Sequence, residues 1–257
     1  MAIITLTSDW GSKDHYTAVV KGTILSKLPD VNIVDITHSI DHFNVYQASF
    51  VVKNSYKHFP EGTVHIISIN TEASVKQPHT IVYAEKQYFI GADNGIFSLI
   101  FDDIPEAVYE INTLQDSDYF TFSTKDVFAK VACHLASGGK IEEVALKKEG
   151  INKLIPYNPV TDKDSISGMI MYIDSYENLI TNITEKMFKE KVKGRKFTIL
   201  IRGEEISVIS KAFSDVGSGD VLAFFGSAGY LVIAINHGNA AGLLGLGYND
   251  RVRVEFI

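Results

Sequence analysis

The stretch Ala2-Ile3-Ile4-Thr5-Leu6-Thr7-Ser8-Asp9-Trp10-Gly11 decides the fold at the start of the chain. Its apolar and β-branched run predicts a short strand, and Gly11 allows a sharp turn into the helical pattern that follows. Ligands of open α/β sheets bind beyond the carboxyl ends of the strands, which is where Asp9 lies. We therefore expect Asp9 to contact a ligand. The alternative is that Asp9 and Asp14 only cap the next helix.

Two further strands follow in the same pattern, at residues 31–36 and 63–69, and helical segments separate them. Alternating strands and helices are typical of a parallel sheet with right-handed crossovers. In such a sheet the carboxyl ends of the strands meet at one edge. The polar residues at these strand ends are Asp9, Asp35, His38 and Asn70.

The pattern changes twice along the rest of the chain. Residues 79–90 predict a hairpin, and beyond residue 165 the pattern is one of many short strands with turn residues between them. We therefore expect an α/β domain with a mostly parallel sheet over residues 1–150. A linker over residues 151–164 and an all-β, barrel-like domain over residues 165–257 complete the predicted order.

Composition narrows the classes of function. The 257 residues carry a formal net charge of −7, and no basic cluster is interleaved with aromatic residues, which argues against a nucleic-acid partner. The single cysteine, Cys133, lies in an apolar helical pattern and fits a reducing compartment. No apolar stretch has the length of a membrane span. We expect a cytoplasmic protein without a membrane partner.

A metal site is the first alternative chemistry. Asp35, His38, Asp41 and His42 are close in sequence, and both residue types bind transition metals. The segment is predicted to be a loop, however, and it lacks the His-Glu-x-x-His order of zinc peptidases. We therefore favour polar loop residues that bond to the backbone and expect no metal ion.

Several stretches, in order, together resemble one family. They include Leu6-Thr7-Ser8-Asp9-Trp10-Gly11, Ile33-Val34-Asp35-Ile36-Thr37-His38, Gly91-Ala92-Asp93-Asn94-Gly95, Ile173-Asp174-Ser175-Tyr176-Glu177-Asn178-Leu179-Ile180-Thr181-Asn182-Ile183 and Ser227-Ala228-Gly229-Tyr230-Leu231-Val232-Ile233-Ala234. The chain is similar to the S-adenosylmethionine (SAM) hydroxide adenosyltransferase family, which is related to fluorinating and chlorinating enzymes. The similarity extends over nearly the whole chain.

The resemblance implies a fold and a reaction. It implies an N-terminal α/β domain, a C-terminal β-barrel and a homotrimer with sites at the subunit interfaces. Water or hydroxide attacks C5′ of SAM, methionine leaves and adenosine remains. Because the sulfonium is a good leaving group, the protein mainly orients the nucleophile and excludes bulk water. SAM is the substrate, and neither a cofactor nor a metal is implied.

The resemblance also implies roles for individual residues. Asp9 binds the ribose hydroxyls, Asn178 reads the adenine edge, and Phe213 stacks on the adenine. The other implied substrate-binding residues are Ser227 and Ile235 around the base, Val232 where the family commonly carries glutamate, and Asp14 and Asp174 as anchors for the methionine ammonium group.

The departures from the family concern the water-activating residues. Asn70, Gln77 and Ser123 stand where the hydrolytic members carry an aspartate, an arginine and a histidine. An amide cannot act as a carboxylate base, and glutamine lacks the permanent charge of arginine. We assign the catalytic positions to Asn70, Gln77 and Ser123, and Lys76 or His79 is a candidate replacement because both lie close in sequence.

Three hypotheses follow from this pattern. The first is a SAM hydrolase with a rebuilt water site. The second is a non-catalytic protein that binds SAM or adenosine. The third is an enzyme that uses a halide as nucleophile, against which Glu72 would place a negative charge near the halide.

Overall fold

The computed structural model describes residues 2–113 and 120–257. The chain divides into two compact units, Met1–Ile155 and Pro156–Ile257. Residues 151–155, at the start of the linker range expected from the sequence, belong to the first unit. Later in that range Val160–Thr161 form a short strand.

The first unit is a seven-stranded sheet with helices on both faces. Its strands are β1 (Ile3–Ser8), β2 (Asn32–Thr37), β3 (Val64–Ser68), β4 (His79–Ala84), β5 (Gln87–Ala92), β6 (Ala107–Ile111) and β7 (Ala145–Lys147). Its helices are α1 (Tyr16–Lys27), α2 (Val45–Lys53), α3 (Ile96–Ile100) and α4 (Ala129–Ala136), the last preceded by a π-helical turn at Thr124–Phe128. The strand order is β2-β1-β3-β5-β4-β6-β7.

This sheet is mixed, which corrects the expectation of a mostly parallel one. β1 pairs in parallel with β2 and β3, and β3 pairs in parallel with β5, whereas β4, β6 and β7 join by antiparallel pairing. The predicted hairpin causes the change of direction. Glu85 and Lys86 form its two-residue turn with φ values of 48° and 60°, the left-handed geometry that matches the twist of antiparallel strands.

The sheet is buried on both faces by two separate apolar clusters. Every residue of β3 is buried, and neighbouring residues of the strand point to opposite faces. Ile66 packs into the cluster that contains residues of α1 and α4, and Ile67 packs into the cluster that contains residues of α2 and α3. The strand ends, rather than the faces of the sheet, are therefore the places where a ligand can reach this unit.

The second unit is built on an antiparallel sheet. Its strands are β8 (Val160–Thr161), β9 (Ser165–Ile173), β10 (Leu179–Thr184), β11 (Phe197–Ile201), β12 (Glu204–Ile206), β13 (Val221–Phe225), β14 (Tyr230–Ile235) and β15 (Arg251–Phe256). The order is β12-β11-β15-β9-β10-β14-β13, with β8 paired to β9. Ile209, just beyond β12, bridges to Ala223 of β13, so the two ends of the sheet approach each other and the sheet is nearly closed and barrel-like.

Two short helices interrupt the β pattern expected for this unit. They are α5 (Glu185–Val192) and α6 (Ala240–Leu244). The Thr184 side chain accepts a hydrogen bond from the Met187 N–H and so starts α5, while Asn239 caps α6 through Gly242. Within the described ranges, no helix is long and apolar enough to cross a membrane.

His65 is a buried histidine in the middle of β3. Its Nδ1 lies 2.7 Å from Thr5 Oγ1, and its Nε2 lies 2.6 Å from Gln87 Oε1. Its ring stacks on Phe89 at 4.7 Å between centroids. Burial lowers the pKa of His65 to about 4, although the hydrogen bond to Gln87 opposes the shift. The folded protein therefore holds His65 as the neutral imidazole.

We predict that His65 makes the protein acid-sensitive. Because the folded-state pKa lies below the ordinary value of about 6.5, the unfolded chain binds the extra proton between these values, and stability falls as the pH drops from about 6.5 towards 4. The free energy of unfolding should fall by at most about 3 kcal/mol over this range of pH. Denaturant unfolding at pH 7 and pH 5 measures it.

The matched variants for this test are His65→Gln and His58→Gln. His65→Gln removes the buried titrating group and should flatten the pH dependence, while His58 is exposed and its replacement should leave the dependence unchanged. Equal pH slopes for the wild type and His65→Gln would contradict the prediction.

Candidate ligand site

Asp9 lies at the end of β1 and is only 8% exposed. Its Oδ2 accepts a hydrogen bond of 2.9 Å from the Phe43 N–H, and Gly11 turns the chain with a φ of 69°. Helix α1 begins with His15 at its N-cap, and no side chain caps it. The alternative interpretation, in which Asp9 or Asp14 caps α1, is therefore wrong. Asp14 is exposed in the segment before the helix.

Parallel pairing brings the predicted strand ends to one edge. Ser8 of β1 pairs with Ser68 of β3, and Leu6 of β1 pairs with Asp35 of β2. Asn70 follows β3 after two residues, is exposed and has a φ of 48°. Asp9, His38 and Asn70 lie beyond the ends of β1, β2 and β3, as expected, whereas Asp35 lies within β2, which extends to Thr37.

Ser123 reaches the same edge from the start of the helical segment that leads to α4. Ser123 is 2% exposed, and the next residue, Thr124, donates a hydrogen bond of 3.0 Å from its hydroxyl to Ser68 Oγ at the end of β3. Phe122 packs edge-on against Trp10 at 5.6 Å between ring centroids. This segment therefore lies against the ends of both β1 and β3.

The side chain of Gln77 forms hydrogen bonds to the backbone of the loop after β3. Its Nε2 donates to the carbonyl oxygens of Asn70 at 2.7 Å and Glu72 at 3.1 Å. His79 Nε2 lies 2.8 Å from the Thr71 carbonyl oxygen, and burial lowers the pKa of His79. The loop after β3 is thus held by two side chains that bind its carbonyl groups.

The residues considered for a metal are otherwise engaged or apart. His38 Nδ1 lies 2.6 Å from Ser8 Oγ, and Asp35 bonds to Lys21 at 2.5 Å. Burial raises the pKa of Asp35, but Lys21 and His38 beside the carboxylate outweigh this and hold the pKa below its ordinary value. Asp41 and His42 are exposed. Across the described ranges, no group of three or more metal-binding side chains comes together.

The second unit contains a cavity of about 840 Å³ that joins many of the predicted substrate-binding residues. These are Asp174, Asn178, Phe213, Ser227, Val232 and Ile235. They come from β14, from the turn before it, from the turn between β9 and β10, and from the 3₁₀ turn at Phe213–Asp215. The remaining predicted residues, Asp9, Asp14, Asn70, Gln77 and Ser123, lie in the first unit.

Asp174 and Asn178 form a closed hydrogen-bonded turn at one end of the cavity. Asp174 Oδ1 accepts from the N–H groups of Tyr176 and Asn178, both at 2.9 Å. Asp174 Oδ2 accepts from Asn178 Nδ2 at 3.0 Å. Asn178 is only 6% exposed, and its amide keeps an oxygen and one N–H for a ligand. The turn therefore fixes the direction in which this amide points.

The other walls of the cavity are mostly apolar. Phe213 is 43% exposed and packs against Phe224 at 5.1 Å between ring centroids, which gives a partly open aromatic face. Val232 and Ile235 are almost fully buried. Ser227 lies in the turn between β13 and β14, which Gly229 closes with a φ of 77°. Such a wall suits a flat aromatic ligand, with polar recognition confined to the edge.

Sequence reasoning missed several residues that line the cavity. They are Tyr176, Ile180, Phe224, Gly226, Ala228, Tyr230, Asn236, His237, Gly238 and Asn239. Tyr230 could have been found, because it lies two residues before Val232 on β14 and alternate strand residues share a face. The segment 236–239 had no such signal, since it lies in a turn that brings it to the cavity only in the folded unit.

Residues 4–145 match the family model described as the SAM hydroxide adenosyltransferase N-terminal domain. Residues 168–253 match the corresponding C-terminal domain model. The chain belongs to the SAM hydroxide adenosyltransferase family.

Alignments with individual relatives cover nearly the full length of this chain. It is 26% identical to the (R)-S-adenosyl-L-methionine hydrolase of Thermus thermophilus, with 99% of this chain and 100% of that protein aligned. It is 25% identical to a fluorinase of Actinopolyspora mzabensis, with 93% of this chain and 92% of that protein aligned. The crystal structure of an uncharacterized conserved protein from Thermotoga maritima superposes with a TM-score of 0.89 at 30% identity, over 98% of this chain and 99% of that one.

We predict that Asp174 holds the turn at the cavity. In Asp174→Ala the N–H groups of Tyr176 and Asn178 lose their acceptor, so their amide hydrogens should exchange about tenfold faster or more. Asp174→Asn keeps one acceptor oxygen and should show a smaller effect. Residue-resolved hydrogen exchange measures both.

Asp220→Ala is the matched control for this test. Asp220 Oδ2 accepts from the Gly217 N–H at 3.0 Å, so its loss should speed exchange at Gly217 and leave Tyr176 and Asn178 protected. Unchanged exchange at Tyr176 and Asn178 in Asp174→Ala would show that the carboxylate does not hold the turn.

Proposed function

We propose that this chain binds SAM and hydrolyses it to adenosine and L-methionine. The observation that carries the proposal is the cavity of the second unit, which gathers six of the predicted substrate-binding residues. The relatives named as SAM hydrolases, at 23–26% identity over nearly the whole chain, support the same reaction.

Each wall of the cavity has a role in this proposal. The adenine lies against the open face of Phe213, between the apolar side chains of Val232 and Ile235. Asn178 pairs with the adenine edge through its remaining oxygen and N–H, and Ser227 adds a hydroxyl beside it. Asp174, expected from the sequence as an anchor for the methionine ammonium group, is given a different role here: it acts mainly through Asn178, because its carboxylate already accepts three hydrogen bonds.

The first unit supplies the groups for the ribose and the nucleophile. Asp9 accepts from the ribose hydroxyls, since its Oδ1 has no bonding partner among residues 2–113 and 120–257. Asp14 attracts the methionine ammonium group. Asn70 and Ser123 orient a water molecule, and Gln77 acts through Asn70 by binding its carbonyl. The C5′–S bond breaks as the C5′–O bond forms, and the water proton leaves to solvent.

The assembly and location are part of the same proposal. We place the protein in the cytoplasm as a homotrimer with sites at its subunit interfaces, without a cofactor, as the family resemblance implies. Exposed apolar side chains support self-association: Phe43 beside Asp9 is 70% exposed, and Tyr176 at the cavity is 77% exposed. Light scattering at assay concentration tests the mass of three chains.

A second candidate function is binding without turnover. The specific observation in its favour is that the side-chain amide of Gln77 donates two hydrogen bonds, both to backbone carbonyl groups. An uncharged amide in this position supplies no charge to stabilise hydroxide. In this alternative the chain holds SAM or adenosine and leaves the C5′–S bond intact.

We predict that the cavity residues control affinity for SAM. Purified protein is incubated with SAM, with and without chloride, and adenosine, methionine and 5′-chloroadenosine are measured by mass. Asn178→Ala and Phe213→Ala should each weaken SAM binding by about tenfold or more, because they remove the edge contact and the stacking face. Val208→Ala changes an exposed residue outside the cavity and should bind like the wild type.

The products decide between the candidates. Adenosine and methionine in equal amounts establish hydrolysis, binding without product establishes the second candidate, and 5′-chloroadenosine would establish halide as the nucleophile. Absence of binding to both SAM and adenosine would overturn the proposal.

We predict a different kinetic signature for the water site. Asn70→Ala and Ser123→Ala should lower kcat by about tenfold or more with little change in KM, because they orient the nucleophile rather than hold the nucleoside. Lys76→Ala and His79→Gln test the two candidate replacements in the same assay. Unchanged kcat in both Asn70→Ala and Ser123→Ala would remove these residues from the mechanism.

A further inference from the structure

His38 contacts the turn that follows β1 from three sides. We call this turn, Ser8–Gly11, the β1 corner. The Ser8 hydroxyl lies 2.6 Å from His38 Nδ1, and the Gly11 N–H donates to the His38 carbonyl oxygen at 2.6 Å. The imidazole stacks nearly parallel to Trp10, with 6.2 Å between centroids and 11° between planes. One residue thus contacts the corner both before Asp9, at Ser8, and after it, at Trp10 and Gly11.

The imidazole of His38 is itself held from the opposite side. Asp35 Oδ1 lies 3.1 Å from Nε2, an electrostatic contact rather than an aligned hydrogen bond, and Lys21 holds Asp35 Oδ2 at 2.5 Å. A carboxylate beside Nε2 favours the proton on that nitrogen, so Nδ1 accepts from the Ser8 hydroxyl. Ser8 is 1% exposed, and its hydroxyl is held by His38.

The same loop also holds the Asp9 carboxylate. Phe43, five residues after His38, donates its N–H to Asp9 Oδ2 at 2.9 Å. Residues 38–43 therefore bind both the backbone of the β1 corner and the side chain that the corner presents. A carboxylate that accepts hydrogen bonds from two neighbouring hydroxyls must be held in a fixed orientation. Asp9 is buried and one of its oxygens is already bonded, so its carboxylate can rotate little.

We propose that His38 is a positioning residue that fixes the Asp9 carboxylate for the two hydroxyls of a ribose. The proposal rests on nucleoside binding as part of the proposed function, and it needs no turnover. His38 itself touches no ligand in this arrangement, since its ring is enclosed by Ser8, Trp10 and Asp35.

The test compares adenosine with 2′,3′-dideoxyadenosine by calorimetry, because their affinity ratio isolates the contribution of the ribose hydroxyls. His38→Ala and Asp9→Asn should each reduce the ratio by about tenfold, and the double variant should reduce it no further. His38→Asn places an amide where the imidazole carries Nδ1 and should recover most of the ratio. His58→Ala replaces an exposed histidine elsewhere and should keep the ratio of the wild type.

A second measurement needs no ligand. Trp10 is the only tryptophan of the chain and stacks on His38, so its fluorescence reports on the β1 corner alone. His38→Ala should shift Trp10 emission to longer wavelength and increase its quenching by acrylamide.

The outcomes separate this inference from the proposed function. An unchanged ratio or an equal loss for both nucleosides in His38→Ala overturns the positioning role, as does an unchanged Trp10 signal. If the wild type binds neither SAM nor adenosine, the proposed function fails, and the role of His38 toward a ribose fails with it. The Trp10 signal still decides whether His38 orders the corner.

Discussion

Parallel pairing of β1 with β2 and β3 is the interaction on which the first half of the site depends. The pairing of Ser8 with Ser68 and of Leu6 with Asp35 determines which polar residues meet beyond the sheet. A shift of either register by one residue would move every side chain of the strand to the opposite face of the sheet. Because both faces of the sheet are packed with apolar residues, such a shift is prevented by the core itself.

Those parts of the fold that follow from local periodicity could be predicted from the sequence. The strands and helices up to β3 and the hairpin at residues 79–90 obey alternation, helical spacing and turn chemistry, which act over a few residues. The mixed character of the sheet could not be predicted in the same way. The mixture of directions arises because β5 of the hairpin pairs with β3. Strand order of this kind depends on contacts between distant parts of the chain, which a local sequence pattern does not predict. Helix α5 was not predicted, because its exposed face is highly polar and only residues such as Phe188 face the core.

The candidate site shows the same division between residue type and residue contact. The strand-end pattern pointed to Asp9, and the family resemblance pointed to Asn178 and Phe213, whose amide and aromatic ring suit a nucleoside. The bonds those groups already make could not be read from type. In the sequence, Gln77 stands out only as an uncharged residue where the family carries arginine. In the folded chain its amide donates hydrogen bonds to two carbonyl groups of the loop after β3. His38 looks like a metal ligand among acidic neighbours, yet it is enclosed by the β1 corner and Asp35.

The cavity of the second unit is lined only by residues between Asp174 and Asn239, all within one compact body with its own apolar core. The groups at the ends of β1 and β3 are not among the residues that line it. The two parts of the chain are therefore free to change at different rates over evolutionary time. A lineage could exchange the groups that handle the attacking atom, and so acquire new chemistry, without first rebuilding the walls of this cavity.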